Sequence, residues 1–338
     1  MPQLRTDYMS RSVTLVPSER SARAAGEVED CKFCAGRENE TPPAELVLLD
    51  KFGGIVKTSD TEEERNSDWV ARVFKSPRPL VYDDPGANFS DEPLVGEPAQ
   101  GSHYVVVTSP SHEEQFHTAN VNQLANGLIA MQEEVKTLYQ GRGISYVAAY
   151  ANMTAGKGSA SHPQINLVSL GRIPPIVQAE LTATDSMYDE LGICPVCRVV
   201  NVESGGPRQI ISTDSYVAFV PWAPRRNLEF WIVPKKHQRS FLKLTQNQIK
   251  ELAMIMRCTL GGFVKENGPE YGVAFHMAPE RMQQSQYHWH VEVHPQNSTS
   301  DSLEDGFGVY VLPKVPEEAA EKLGKWARRE MADMFGVK

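Results

Sequence analysis

The residues best equipped for chemistry are four cysteines in two pairs, Cys31-Lys-Phe-Cys34 and Cys194-Pro-Val-Cys197, with Cys258 standing alone. A Cys-x-x-Cys pair can be a redox centre, a disulfide or half of a metal site. A reducing compartment disfavours the disulfide, and a thioredoxin-like pair belongs between a strand and a helix of a βαβ unit. Here each pair lies near the start of a half-chain with turn residues close by, which favours metal knuckles if histidines match them. They do. His112 and His162, 50 residues apart, follow the first pair; His237 and His288, 51 apart, follow the second. Two thiolates and two imidazoles make a closed tetrahedral set that suits zinc and leaves no position open to substrate. Two structural zinc ions per chain are therefore expected, one on Cys31, Cys34, His112 and His162, the other on Cys194, Cys197, His237 and His288. His276, His290 and Glu180 remain as ligands for a different metal arrangement, and Cys258 reads as a buried small apolar residue.

A long, degenerate repeat must position these residues. In each half an apolar strand runs into a Pro-containing turn and a histidine, Tyr104 to His112 and Phe230 to His237. A helical pattern follows, with Leu124, Leu128, Met131, Val135 and Leu138 in one copy and Ile249, Leu252, Met256, Leu260 and Phe263 in the other. Thr245 and Gln248 form a capping box at the start of the second helix. Next come strands at Ile144 to Tyr150 and Tyr271 to Phe275, then Ser161-His-Pro-Gln-Ile-Asn-Leu-Val168 and Tyr287-His-Trp-His-Val-Glu-Val-His294. The pattern predicts two copies of one α+β unit, residues 1–185 and 186–338. An insertion around residues 58–100, rich in Asp, Glu, Pro and Ser, reads as loop. Pro316 to Phe335 reads as an amphipathic helix burying Leu323, Trp326 and Met334.

Composition narrows the class. With 338 residues, 41% hydrophobic and 23% charged, the chain can bury one large core or two medium ones. No apolar run is long enough to cross a bilayer, and Met1 to Arg11 lacks the apolar stretch of a secretory signal. A cytoplasmic protein is expected. A net charge of −9 argues against nucleic acid or an anionic membrane as partner, while leaving room for a local basic pocket.

Between the histidine-bearing segment and the preceding strand lies Asn152-Met-Thr-Ala-Gly-Lys-Gly-Ser-Ala-Ser-His162. A small, Gly-rich loop of this kind can bring several backbone N–H groups onto a phosphate, with Lys157, Ser159 and Asn152 adding side-chain donors. A plain turn is the default reading of such a loop. Its position directly before a histidine motif is what raises the phosphate reading.

Taken together, these segments resemble the galactose-1-phosphate uridylyltransferase family of the histidine-triad superfamily, nearly end to end. The resemblance rests on Leu4-Arg-Thr-Asp-Tyr8, Leu15-Val-Pro-Ser-Glu-Arg20-Ser-Ala-Arg23, Cys31-x-x-Cys34 with Glu40-Thr-Pro-Pro43, Phe219-Val-Pro, Trp231-Ile-Val-Pro and Tyr287-His-Trp-His290. It implies a duplicated histidine-triad-like fold with two antiparallel sheets and packed helices, usually a homodimer. The implied reaction moves a nucleoside monophosphate between a nucleotide sugar and a sugar 1-phosphate; some relatives act as nucleotide-sugar phosphorylases. Arg20 and Arg23 would contact the nucleotide, and Asn152, Gly158, Ser159 and Asn166 its phosphates.

One departure qualifies the resemblance. The family motif His-Pro-His-x-Gln supplies a zinc ligand, a nucleophile for the α-phosphorus and an amide for the phosphate oxygens. Here it reads His162-Pro163-Gln164-Ile165-Asn166. The ligand is kept, Asn166 is a shorter amide, and the nucleophile is Gln164, whose amide nitrogen has its lone pair delocalised and cannot attack phosphorus. Four explanations follow: direct transfer or hydrolysis, a non-catalytic nucleotide-binding homologue, a histidine replaced deliberately to trap substrate, or a nucleophile relocated to His290, the matching position of the second repeat. Uridylyl transfer to a hexose 1-phosphate is the leading expectation.

Overall fold

The computed structural model describes residues 2–10, 12–16, 31–51, 53–83, 89–154, 162–297 and 301–336. In chain order come β1 (Gln3–Thr6), β2 (Val13–Val16), β3 (Leu46–Lys51), β4 (Gly54–Thr58), β5 (Trp69–Lys75), β6 (Phe89–Asp91), β7 (Leu94–Pro98) and β8 (His103–Val107). The first half continues through α1 (Val121–Leu138), β9 (Tyr146–Met153), β10 (Gln164–Leu170) and α2 (Pro175–Leu191). Gly192, at a left-handed φ of 67°, then turns the chain into α3 (Pro195–Glu203). The second half adds β11 (Gln209–Ser212), β12 (Tyr216–Phe219), β13 (Phe230–Pro234), α4 (Gln246–Asn267), β14 (Tyr271–His276) and β15 (His290–Pro295), before α5 (Ser302–Phe307) and α6 (Pro316–Met334).

The repeat is visible in the strand pairing. β8, α1, β9 and β10 match β13, α4, β14 and β15 in order, and in each triplet of strands the last in sequence, β10 or β15, lies in the middle, two residues beyond His162 or His288. The expected helices form because their apolar positions share one stripe and their ends are capped. Asn120 accepts from the Gln123 N–H, and the Thr245–Gln248 capping box is complete, each such cap contributing about 1 kcal/mol.

Two antiparallel sheets with packed helices result, as expected, but they are not divided one per half. A single sheet of 11 strands runs β11-β12-β13-β15-β14-β9-β10-β8-β5-β3-β4, joined across the repeat by β14 pairing with β9. The residue 185 division falls inside α2. The second sheet, β2-β1-β7-β6, draws on the N-terminal segment and the insertion. The reading of 58–100 as loop is thereby corrected. Trp69–Lys75 enters the large sheet between β3 and β8, and Leu94–Pro98 pairs with Gln3–Thr6.

Alternation along the central strands then separates two faces. Ile165, Leu167, Ala149, Ala151, Val273, Phe275, Val291 and Val293 enter the main core beneath α1 and α4. Gln164, Asn166, Tyr150, Asn152, His276, His290, Glu292 and His294 point the other way. That polar face is bounded on one side by α2, whose Val177 and Leu181 pack on Tyr146 and Tyr287. On the other side Leu4 and Val81, from the small sheet and the segment after β5, pack on Val168. Helix α6 follows the expected tail, with Leu323 fully buried and Trp326 and Met334 half-buried. No helix of the described residues is long and apolar enough to cross a membrane.

Candidate functional site

Both predicted quartets assemble. Cys31, Cys34, His112 and His162 bring their ligand atoms within 4.8 Å of one another, and so do Cys194, Cys197, His237 and His288. The first quartet is drawn from a turn, the loop after β8 and the residue two before β10. The second places Cys194 at the N-cap of α3 and Cys197 in its first turn. Sulfur to imidazole Nδ1 distances are 3.5 Å for Cys31–His162, 3.6 Å for Cys34–His162 and 3.7 Å for Cys34–His112. Their counterparts are 4.0 Å for Cys194–His288 and 3.5 Å for both Cys197–His237 and Cys197–His288. A tetrahedron with metal–sulfur bonds of about 2.3 Å and metal–nitrogen bonds of about 2.0 Å has such edges of roughly 3.5 Å.

The outer atoms of these rings agree with that use. His162 Nε2 lies 2.8 Å from the Ser109 carbonyl and His288 Nε2 lies 3.0 Å from the Pro234 carbonyl. A carbonyl only accepts, so each Nε2 carries its hydrogen and each Nδ1 keeps a lone pair facing the thiols. The ring pairs His112–His162 and His237–His288 repeat the same edge-on geometry, with centroids 5.3 and 5.1 Å apart. In the second quartet, burial and the neighbouring Cys194 push Cys197 up to about 12, while Cys194, against the effect of burial, is brought down to about 5 by His237 and His288. A divalent cation bound there would let both thiols ionise. Each quartet fits a metal ion by donor type, spacing and tautomer.

A third group lies on the polar face. His276 Nδ1 is 3.1 Å from Glu180 and its Nε2 3.6 Å from Glu292, while His290 Nε2 is 3.6 Å from Glu292. Tyr287 donates to Glu180 at 2.5 Å and Arg225 to Glu292 at 2.7 Å. All four acid and imidazole groups could hold a metal ion, and without one they are charge-compensated. Burial works against the His276 imidazolium, but Glu180 and Glu292 raise its pKa. Burial would likewise raise Glu292, yet His290, His276 and Arg225 bring it down to about 2. Glu292 escaped the sequence reading, although His288-x-His290-x-Glu292 parallels His162-x-Gln164-x-Asn166.

His290, the relocated-nucleophile alternative, donates from Nδ1 to the His288 carbonyl at 3.2 Å, and its Nε2 faces Glu292 at 3.6 Å. That nitrogen is enclosed. Its side chain is 5% exposed, Trp231 stacks on the ring at 4.9 Å, and His276 packs at the same distance.

Gln164 opens β10, two residues beyond His162, and its buried Oε1 has no hydrogen-bond partner among the described residues. Asn166 follows on the same face. Its row across the sheet runs through Tyr150, Ala274 and Glu292 to Trp231, so the two halves contribute to one surface. Asn152 lies one row along, opposite Gly272 and then His294. Burial and then Arg226 hold His294 down to about 4, so it is neutral. The other nucleotide contacts expected from sequence, Arg20, Arg23, Gly158 and Ser159, lie outside the described residues.

Fold and site together define a duplicated α+β protein with paired Cys2His2 centres flanking a polar, amide-bearing sheet face. Comparison with known proteins gives this class its relatives. No family model matches the chain. It is 27% identical to an ADP-glucose phosphorylase of Arabidopsis thaliana, over 94% of this chain and 85% of that one. It is also 27% identical to a galactose-1-phosphate uridylyltransferase of Thermotoga maritima, over 72% of this chain and 80% of that one. A solved uridylyltransferase structure superposes with a TM-score of 0.80 at 24% identity, covering 97% of this chain and 99% of that one. The chain is thus similar to galactose-1-phosphate uridylyltransferases and to an ADP-glucose phosphorylase, and it has the fold of the solved uridylyltransferase.

Proposed function

We propose that this protein moves a nucleoside monophosphate from a nucleotide sugar to a hexose 1-phosphate by direct displacement, without a nucleotidyl-enzyme. The carrying observation is Gln164, set beside the His162 quartet on the amide-bearing face with a buried amide oxygen that has no partner among the described residues. An amide there can hold a ligand by hydrogen bonds but offers no nucleophilic lone pair. Asn152 and Asn166, with Arg20, Arg23, Gly158 and Ser159, would hold the phosphates. A phosphate oxygen of the acceptor attacks the α-phosphorus in line, and the bond from that phosphorus to the bridging oxygen breaks. The donor sugar 1-phosphate departs with the electron pair, and no proton need move. Positioning and charge stabilisation then carry the catalysis.

Zinc is the metal that the thiol–imidazole sets favour, two ions per chain, and it would tie each Cys-x-x-Cys knuckle to the segments flanking β8, β10, β13 and β15 that carry His112, His162, His237 and His288. The homodimer reading is supported by an exposed apolar run, Phe307 at 78%, Val309 at 53%, Tyr310 at 47% and Val311 at 56%, of the kind soluble monomers seldom leave uncovered. Size-exclusion chromatography with light scattering tests it.

The assay incubates UDP-glucose with galactose 1-phosphate and follows exchange. A second reading, phosphorolysis, is favoured by the phosphorylase name of the relative matched over 94% of the chain. It predicts that ADP-glucose with inorganic phosphate as sole acceptor yields ADP and glucose 1-phosphate. Tight nucleotide-sugar binding with neither reaction would leave a binding protein and sink the proposal.

A further inference from the structure

The amides of Asn152 and Asn166, read above as phosphate contacts, can face an anion with either end. The NH2 end donates to phosphate oxygens, whereas the carbonyl end repels them. What fixes the choice is whatever holds the opposite end. For Asn166 that partner is His103, a buried residue on β8, the strand paired with β10. His103 Nε2 lies 3.1 Å from Asn166 Oδ1. The other ring nitrogen, Nδ1, accepts from the Leu80 backbone N–H at 3.3 Å. A backbone N–H only donates, so Nδ1 must be unprotonated and the hydrogen must sit on Nε2. An Nε2–H in turn needs an acceptor, so the atom of Asn166 facing it is the carbonyl oxygen. This chain of donors and acceptors settles both the tautomer and the amide orientation from a single backbone group.

We infer that His103 is a positioning residue: it turns the Asn166 carbonyl away and commits the NH2 end to the phosphate of a bound nucleotide. The device costs the ligand nothing on binding, because the amide is already oriented when the phosphate arrives. It also ties the site to the segment after β5, since Leu80 lies in the stretch between β5 and β6 and sets the ring. The sequence reading passed over His103, which stands immediately before the apolar run that begins at Tyr104.

This inference rests on Asn166 as a phosphate contact, and its test separates the two. ADP-glucose and UDP-glucose affinities are measured by calorimetric titration for the parent chain, Asn166→Ala, His103→Leu and the double variant, with the unfolding midpoint of each. Asn166→Ala should weaken the bound nucleotide about tenfold, the loss expected of a hydrogen bond to a charged group. His103→Leu should cost a similar factor alone and nothing further in the Asn166→Ala background. His103→Gln, which keeps an N–H donor, should recover part of the loss and guards against a Leu variant that folds poorly. If Asn166→Ala is silent, the phosphate reading falls and this inference with it. If Asn166→Ala responds while His103→Leu does not, or the two losses add, the inference alone is overturned.

Discussion

Imidazole and carboxamide differ at residue 164 in one respect that chemistry can detect. The ring nitrogen has a lone pair in the plane, free to bond phosphorus, while the amide nitrogen shares its pair with the carbonyl. On direct displacement, the chain incubated with UDP-glucose labelled in the α-phosphate should carry no label after denaturation. Gln164→His should acquire one label per chain, because the new ring would stand two residues from His162 at the start of β10. Mass spectrometry after rapid quench reads both results. Label on His290 of the parent chain would reverse the account and require that the Trp231 stack open to admit substrate.

At the scale of single elements, α1 carries a further titratable group, Glu134. It is 4% exposed, one carboxylate oxygen has no partner among the described residues, and burial followed by Glu45 raises its pKa to about 7. An acid raised above its ordinary 4.5 binds its proton more tightly folded than unfolded. Its contribution to stability therefore falls as pH rises from about 4.5 and levels off above about 7. Glu134→Gln should remove that fall and be the more stable chain at pH 8 by on the order of 2 kcal/mol. Denaturant titrations of both chains at pH 5 and pH 8 check it, and equal pH dependence would refute the assignment. Helix α1 itself was legible in sequence, as was α4, because Leu124 to Leu138 and Ile249 to Phe263 keep a helical period and a cap marks each start. Strands β6 and β7 were not. Leu94-Val-Gly-Glu-Pro98 has little strand character of its own and is held between the adjacent Phe89–Asp91 and Gln3–Thr6, some ninety residues away. The metal quartets were legible because cysteine pairs and matched histidine spacing survive in one dimension. Glu292 and His103 were not, since each acquires its role from a neighbouring strand's register.

For the molecule as a whole, the pairing of β9 with β14 and the packing of α1 and α4 in a single core leave no seam along which the halves could unfold separately. Calorimetry should show one transition rather than two. Cys194→Ser, which breaks the second quartet, should lower that transition as a unit and loosen nucleotide binding in the first half, since structural metal binding is folding free energy. Two resolved transitions would contradict this. The seamless junction can also be regarded as a dimer interface closed within one polypeptide. On that view the α2–Gly192–α3 link contributes mainly local concentration, holding two complementary surfaces near millimolar where separate chains would have to find one another. Gly192 sits exposed between the exposed Leu191 and Ile193, so the link can be opened without touching the sheet. Fragments 1–192 and 193–338, expressed together, should co-purify and bind nucleotide sugar, and dilution rather than denaturant alone should then weaken the assembly.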